Sequence, residues 1–132
     1  MVRAFIADSL PGERSALRLL LQDLKMQVIG EAPDWMSALE FAPECRPNLL
    51  LVDRSLLPAN PSPAISAFRA ACPNPVVIIL IAQLDPQKQP ALWFGADAFI
   101  SKNEPPDRVA QRLLDATKGI SIDHHPNSAA SR

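Results

Sequence analysis

Glycine is nearly absent from this chain, at 4 of 132 residues against 14 prolines. A surplus of positive charge is missing as well, because 13 Lys and Arg face 14 Asp and Glu. Nucleic-acid and membrane-surface binding both rely on a positive field, so neither is expected of this chain. The two cysteines, Cys45 and Cys72, stand far apart in sequence and outside any metal-ligand spacing, which argues against a disulfide scaffold or a zinc site. No apolar run approaches the ~20 residues of a membrane helix; the longest stretches from Val76 to Ala82. Arg3 interrupts the apolar N-terminus, so no signal peptide is expected. Both histidines, His124 and His125, sit together near the C-terminus, which leaves the body of the chain without a Ser-His-acid or Cys-His set. The expectation is one soluble, cytoplasmic domain, long enough to bury most of its apolar surface.

The apolar pattern alternates between two periods. Val2 to Ala7 reads as a strand ending at Asp8-Ser9. From Pro11 the stripe Leu17, Leu20, Leu21, Leu24 has the i, i+3, i+4, i+7 spacing of an amphipathic helix, with Ser9 as its expected N-cap. Met26 to Glu31 reads as a second strand with Gly30 at its exit. Asp34 caps a helix to about Ala42 that should bury Trp35, Met36 and Leu39. Leu49 to Val52 is a continuous apolar run ending at Asp53, the pattern of a strand covered on both faces. The Pro58-Pro61-Pro63 stretch is expected to be a stiff loop. Ile65, Phe68 and Ala71 mark a third helix, and Val76 to Ile81 a fourth strand. A short helix is expected between Pro86 and Phe94, with Gly95 in the left-handed conformation at its end. Ala98 to Ile100 is a fifth strand, ending at Ser101-Lys102. Pro105 opens a last helix with Val109, Leu113 and Ala116 inward and Gly119 as its stop. Residues 1–119 thus form the domain, and 120–132 are expected to be a flexible tail. The Asp123-His124-His125 run within it has no fourth ligand and is read as solvated.

Strands alternating with helices imply right-handed crossovers and an α/β fold, a parallel sheet with helices on both faces. In such a sheet, function gathers at the carboxyl ends of the strands. That places Asp8, Ser9, Asp53, Leu80 to Ala82 and Lys102 along one edge. Polar residues at single strand ends are ordinary loop chemistry. Two carboxylates and an ammonium at the ends of three strands instead suit a hard cation together with a phosphoryl group.

Phe5-Ile6-Ala7-Asp8, Leu50-Leu51-Val52-Asp53 and Gly95-Ala96-Asp97-Ala98-Phe99-Ile100-Ser101-Lys102 resemble the receiver domain of two-component response regulators, over residues 2 to about 118. Lys102-Asn103, without the usual following proline, is most similar to regulators that carry a LuxR-type output domain, and no such domain is expected within these 132 residues. The resemblance implies a flavodoxin-like receiver fold with sheet order 2-1-3-4-5. It implies that Asp53 accepts a phosphoryl group from a histidine kinase or another signalling protein. Mg2+ would be held by Asp8, Asp53 and the backbone carbonyl of Ser55, and Lys102 would pair with the phosphoryl oxygens. It also implies homodimerisation through the face made by the helix at 86–94, the fifth strand and the last helix.

Four departures accompany the match. Ser9 stands where the family has a second metal-binding acid, so Mg2+ affinity is expected to be weak; a net loss of ~1.4 kcal/mol weakens binding tenfold. The switch hydroxyl at the end of the fourth strand falls on Leu80 or Ile81, neither of which has one. Phe99 keeps the aromatic position coupled to that hydroxyl, and its ring is expected only to pack. The Asp53-to-Pro58 segment is one residue longer than usual, and Pro90 interrupts the helix at 86–94. Arg54 is weighed as a built-in counterion to Asp53, with a direction away from the site as the simpler reading. The expected function is therefore an atypical receiver with little or no Asp53 phosphorylation, acting through protein contacts and not as an enzyme. The alternatives are a working acceptor with a relaxed metal requirement and, from another class, a small phosphatase-like or nucleotide-binding enzyme. Leu10 and the loop after it speak against that enzyme.

Overall fold

The computed structural model describes residues 1–82 and 95–123. Five parallel strands, β1 (Arg3–Ala7), β2 (Gln27–Ala32), β3 (Leu49–Asp53), β4 (Val76–Ile81) and β5 (Ala98–Ser101), form one sheet in the order β2-β1-β3-β4-β5. The helices among the described residues are α1 (Pro11–Asp23), α2 (Trp35–Cys45), α3 (Ser62–Ala71), α4 (Pro106–Ala116) and α5 (Lys118–Asp123), with a single 3-10 turn at Arg54–Leu56. The helix expected at 86–94 lies outside the described residues.

Period-2 alternation splits the strands between two cores. Phe5, Leu50, Val52, Val77, Ile79, Ile81 and Phe99 face α2 and α3. Ala4, Ile6, Leu49, Leu51, Ile78, Leu80 and Ile100 face α1 and α4. Burial on both faces is why β3 and β4 read as unbroken apolar runs.

Several local expectations change. Gly30 is no strand exit: it lies inside β2, beside the register shift between Ala4 and Phe5, and a Cβ there would come within 2.7 Å of the Phe5 ring. Ser9 does not cap α1; the cap position is Leu10, and Pro11 is the first helical residue. Asp34 does cap α2, accepting from the Ser37 N–H at 2.8 Å. Met36 is exposed, while Ala38 and Ala42 take the buried positions and the Trp35 ring packs at a tilt against Phe68, with ring centres 5.9 Å apart. The proline stretch is helical sooner than expected, because α3 starts at Ser62 with Pro63 in its first turn, where a missing N–H costs nothing. Gly119 lies within α5 and does not end α4, and Ile120 is buried in the core with Val109 and Leu113.

Gly95 adopts φ 88°, the left-handed value expected of it. The Gly-Ala-Asp stretch is an anchor at the start of β4. Arg69 donates to the Gly95 carbonyl at 2.6 Å and the Pro75 carbonyl at 2.8 Å, and pairs with Asp97 at 2.9 Å. Asp97 also accepts the Val77 N–H at 2.8 Å.

Candidate functional site

The sheet order places the ends of β1, β3 and β5 within reach of one another. Asp8 follows β1 and is completely buried. Its Oδ1 accepts the Leu10 N–H at 3.0 Å, which turns Oδ2 toward the centre of the site. Asp53 closes β3. Lys102 follows β5, and its backbone N–H donates to the Ile81 carbonyl at 2.8 Å, fixing the stem at the end of β4. From there Nζ lies 2.8 Å from Asp8 Oδ2 and 3.1 Å from Asp53 Oδ1. It also pairs with Glu13 of α1, a residue that strand-end reasoning does not single out. The carboxylates of Asp8, Glu13 and Asp53 offer oxygen atoms all within 4.8 Å of one another.

Burial pushes the Asp8 carboxyl up, but hydrogen bonds from Lys102 and the Leu10 N–H outweigh it and hold the group below its ordinary 3.8. Burial pulls the Lys102 ammonium down, and hydrogen bonds to Asp8, Glu13 and Asp53 more than reverse this, raising it well above its ordinary 10.5. Both groups are therefore charged at neutral pH.

Ser9 is exposed beside the site. Ser55, in the 3-10 turn, donates its hydroxyl to Asp53 Oδ2 at 2.5 Å. Leu80 and Ile81 part company: Leu80 faces the α1–α4 side and lines a cavity of about 230 Å3 there, whereas Ile81 shares the opposite core with Phe99. Ile81 is thus the strand-end residue on the Phe99 side, and its side chain is pure hydrocarbon with no hydroxyl to donate. Asn103 Nδ2 donates at 2.5 Å to the carbonyl of Ala82, the residue after β4, and so ties the β5–α4 turn to that strand. Arg54 is no counterion to Asp53. Its guanidinium donates to the carbonyls of Leu57, Pro58 and Ala59 at 3.2, 3.0 and 3.1 Å, which staples the loop after β3 to itself. Cys72 is buried and Cys45 half-buried; both are free, and burial pushes the Cys72 thiol up.

Hard oxygen donors grouped this closely fit Mg2+ or a similar hard cation better than any soft metal. Among the described residues no helix is long and apolar enough to cross a membrane.

Comparison with known proteins gives a consistent picture. Residues 4–114 match the family model described as the response regulator receiver domain. A putative transcriptional regulator of Pseudomonas aeruginosa is 30% identical over 98% of this chain and 62% of its own length. A protein-glutamate methylesterase/protein-glutamine glutaminase of Anaeromyxobacter dehalogenans is 27% identical over 92% of the chain but 38% of its own length. The chain therefore spans roughly two fifths to three fifths of the curated relatives it matches. Among solved structures, the receiver domain of the putative response regulator NarL from Mycobacterium tuberculosis aligns at TM-score 0.73 and 28% identity, covering 89% of this chain and 97% of that one. The isolated receiver domain of RcsB from Salmonella enterica aligns at TM-score 0.76 and 20% identity, over 89% of both chains, which speaks for the fold alone.

Proposed function

The chain belongs to the response regulator receiver domain family, and we propose that it is a phosphoacceptor receiver whose switch is uncoupled, with Asp53 as the acceptor and protein contacts as its output. The observation that carries this reading is the Lys102 ammonium held between Asp8 and Asp53. A purely structural strand end has no need to bury a carboxylate and pair it across the sheet, because a buried ion pair is at best a weak source of stability.

In this reading an Asp53 oxygen attacks the phosphorus of a phosphohistidine or a small acyl phosphate, and the leaving group departs with the bonding electrons. Lys102 neutralises charge that develops on the phosphoryl oxygens, and the Ser55 hydroxyl holds the second Asp53 oxygen. Asp8 and Asp53, with the Ser55 carbonyl, would hold a divalent cation, which when bound supplies Lewis-acid stabilisation of the phosphoryl oxygens. Ile81 cannot donate to a phosphoryl oxygen, so phosphorylation has little differential affinity for two conformations of Phe99. The partners are a phosphodonor, either a histidine kinase or another signalling protein, and a downstream protein in the cytoplasm. The methylesterase activity named for a relative is not carried over, since the match covers 38% of that protein. The test is incubation with acetyl phosphate and Mg2+ followed by the mass of the intact protein, with Asp53→Ala as the comparison.

A further inference from the structure

The site is one carboxylate short at position 9, where Ser9 is exposed. The fold brings one from elsewhere. Glu13 stands in the first turn of α1, and its carboxylate lies within 4.8 Å of those of Asp8 and Asp53. The cationic side chains that follow it engage other partners: Arg14 and Arg18 both pair with Glu31 of β2. Arg14 also donates to the Asp8 carbonyl at 2.6 Å, tying the start of α1 to the end of β1 and fixing where Glu13 projects. The longer glutamate side chain reaches from the helix a place that an aspartate would reach from the loop.

Resting on the acceptor reading of Asp53, we propose that Glu13 replaces the missing acid of position 9, so that a hard divalent cation is held by Asp8, Glu13 and Asp53. Three carboxylates against one ammonium leave the cluster with two negative charges, which one such cation neutralises. Lys102 now bridges all three carboxylates and is the cation's competitor for them. Once displaced, it is free for phosphoryl oxygens. On this account the weak cation binding expected from Ser9 alone does not hold.

Calorimetric titration of the 132-residue chain with Mg2+ tests this, using wild type, Glu13→Gln, and Ser9→Asp combined with Glu13→Gln. Glu13→Gln should weaken Mg2+ about tenfold or more, the equivalent of ~1.4 kcal/mol, and adding Ser9→Asp should restore most of that loss. Unchanged thermal melting of Glu13→Gln separates a lost ligand from a lost fold. Mg2+ affinity that ignores Glu13, or a wild-type chain that binds no Mg2+, overturns the proposal. Phosphoryl uptake is scored separately by mass: an Asp53 that gains no phosphoryl group defeats the acceptor reading, whereas a Glu13-independent cation defeats this one.

Discussion

Lys102 Nζ lies 3.1 Å from Asp53 Oδ1 and, at the same time, 2.8 Å from the fully buried Asp8 Oδ2, so one ammonium joins the ends of β5, β3 and β1. Remove it and three carboxylates within 4.8 Å repel one another with the innermost unpaired. Lys102→Met should destabilise the domain in the absence of divalent cations by about 2 kcal/mol. That is less than the ~3–5 kcal/mol of a fully buried pair, because a fifth of the Lys102 side chain remains exposed. Added Mg2+ should recover part of the loss. Urea unfolding with and without Mg2+ reads both effects, and a variant as stable as wild type would contradict the pairing.

The same pair sets a pH window. The folded Asp8 value lies below 3.8, so its contribution is present above that pH and is lost as the solution is acidified through the folded value. The folded Lys102 value lies above 10.5, so its contribution is full below 10.5 and is lost as pH climbs toward the folded value. Urea unfolding from pH 2 to 6 should show an acid limb that is shallower in Asp8→Asn than in wild type.

Arg54 holds the loop after β3 through three carbonyls. Arg54→Ala should cost about 1 kcal/mol, since these bonds are largely exposed to water. The sharper readout is local: amide hydrogen exchange of residues 55–60 should accelerate while that of β3 stays unchanged.

Gly30→Ala forces a methyl against the Phe5 ring, where 2.7 Å is available. Overpacking of this kind costs ~1–3 kcal/mol, measurable by denaturant unfolding. Gly30→Ala combined with Phe5→Leu should recover part of it.

The fold was legible because its strands carry their own boundaries. Asp8, Asp53 and Lys102 punctuate apolar runs, and the alternation of periods dictates the parallel sheet. What escaped was what only the third dimension supplies. Glu13 reads in sequence as an ordinary first-turn acid of an amphipathic helix, and only the packing of α1 over β1 brings it to the site. Gly30 reads as punctuation because the ring that needs its space lies on another strand. Met36 reads inward from its apolar character alone, whereas the close approach of α2 to the sheet is made by Ala38 and Ala42, and Met36 is exposed. Counting back from Gly95 gives Leu80 without a gap and Ile81 with a gap of one, but a one-residue slip decides which face of the sheet a side chain takes, and the fold puts them on opposite faces.

The most direct test of the central claim is the mass of the intact protein after incubation with acetyl phosphate and Mg2+. The account predicts a gain of one phosphoryl group that is absent in Asp53→Ala and much reduced in Lys102→Met. No gain in wild type, or a gain that survives Asp53→Ala, would contradict it.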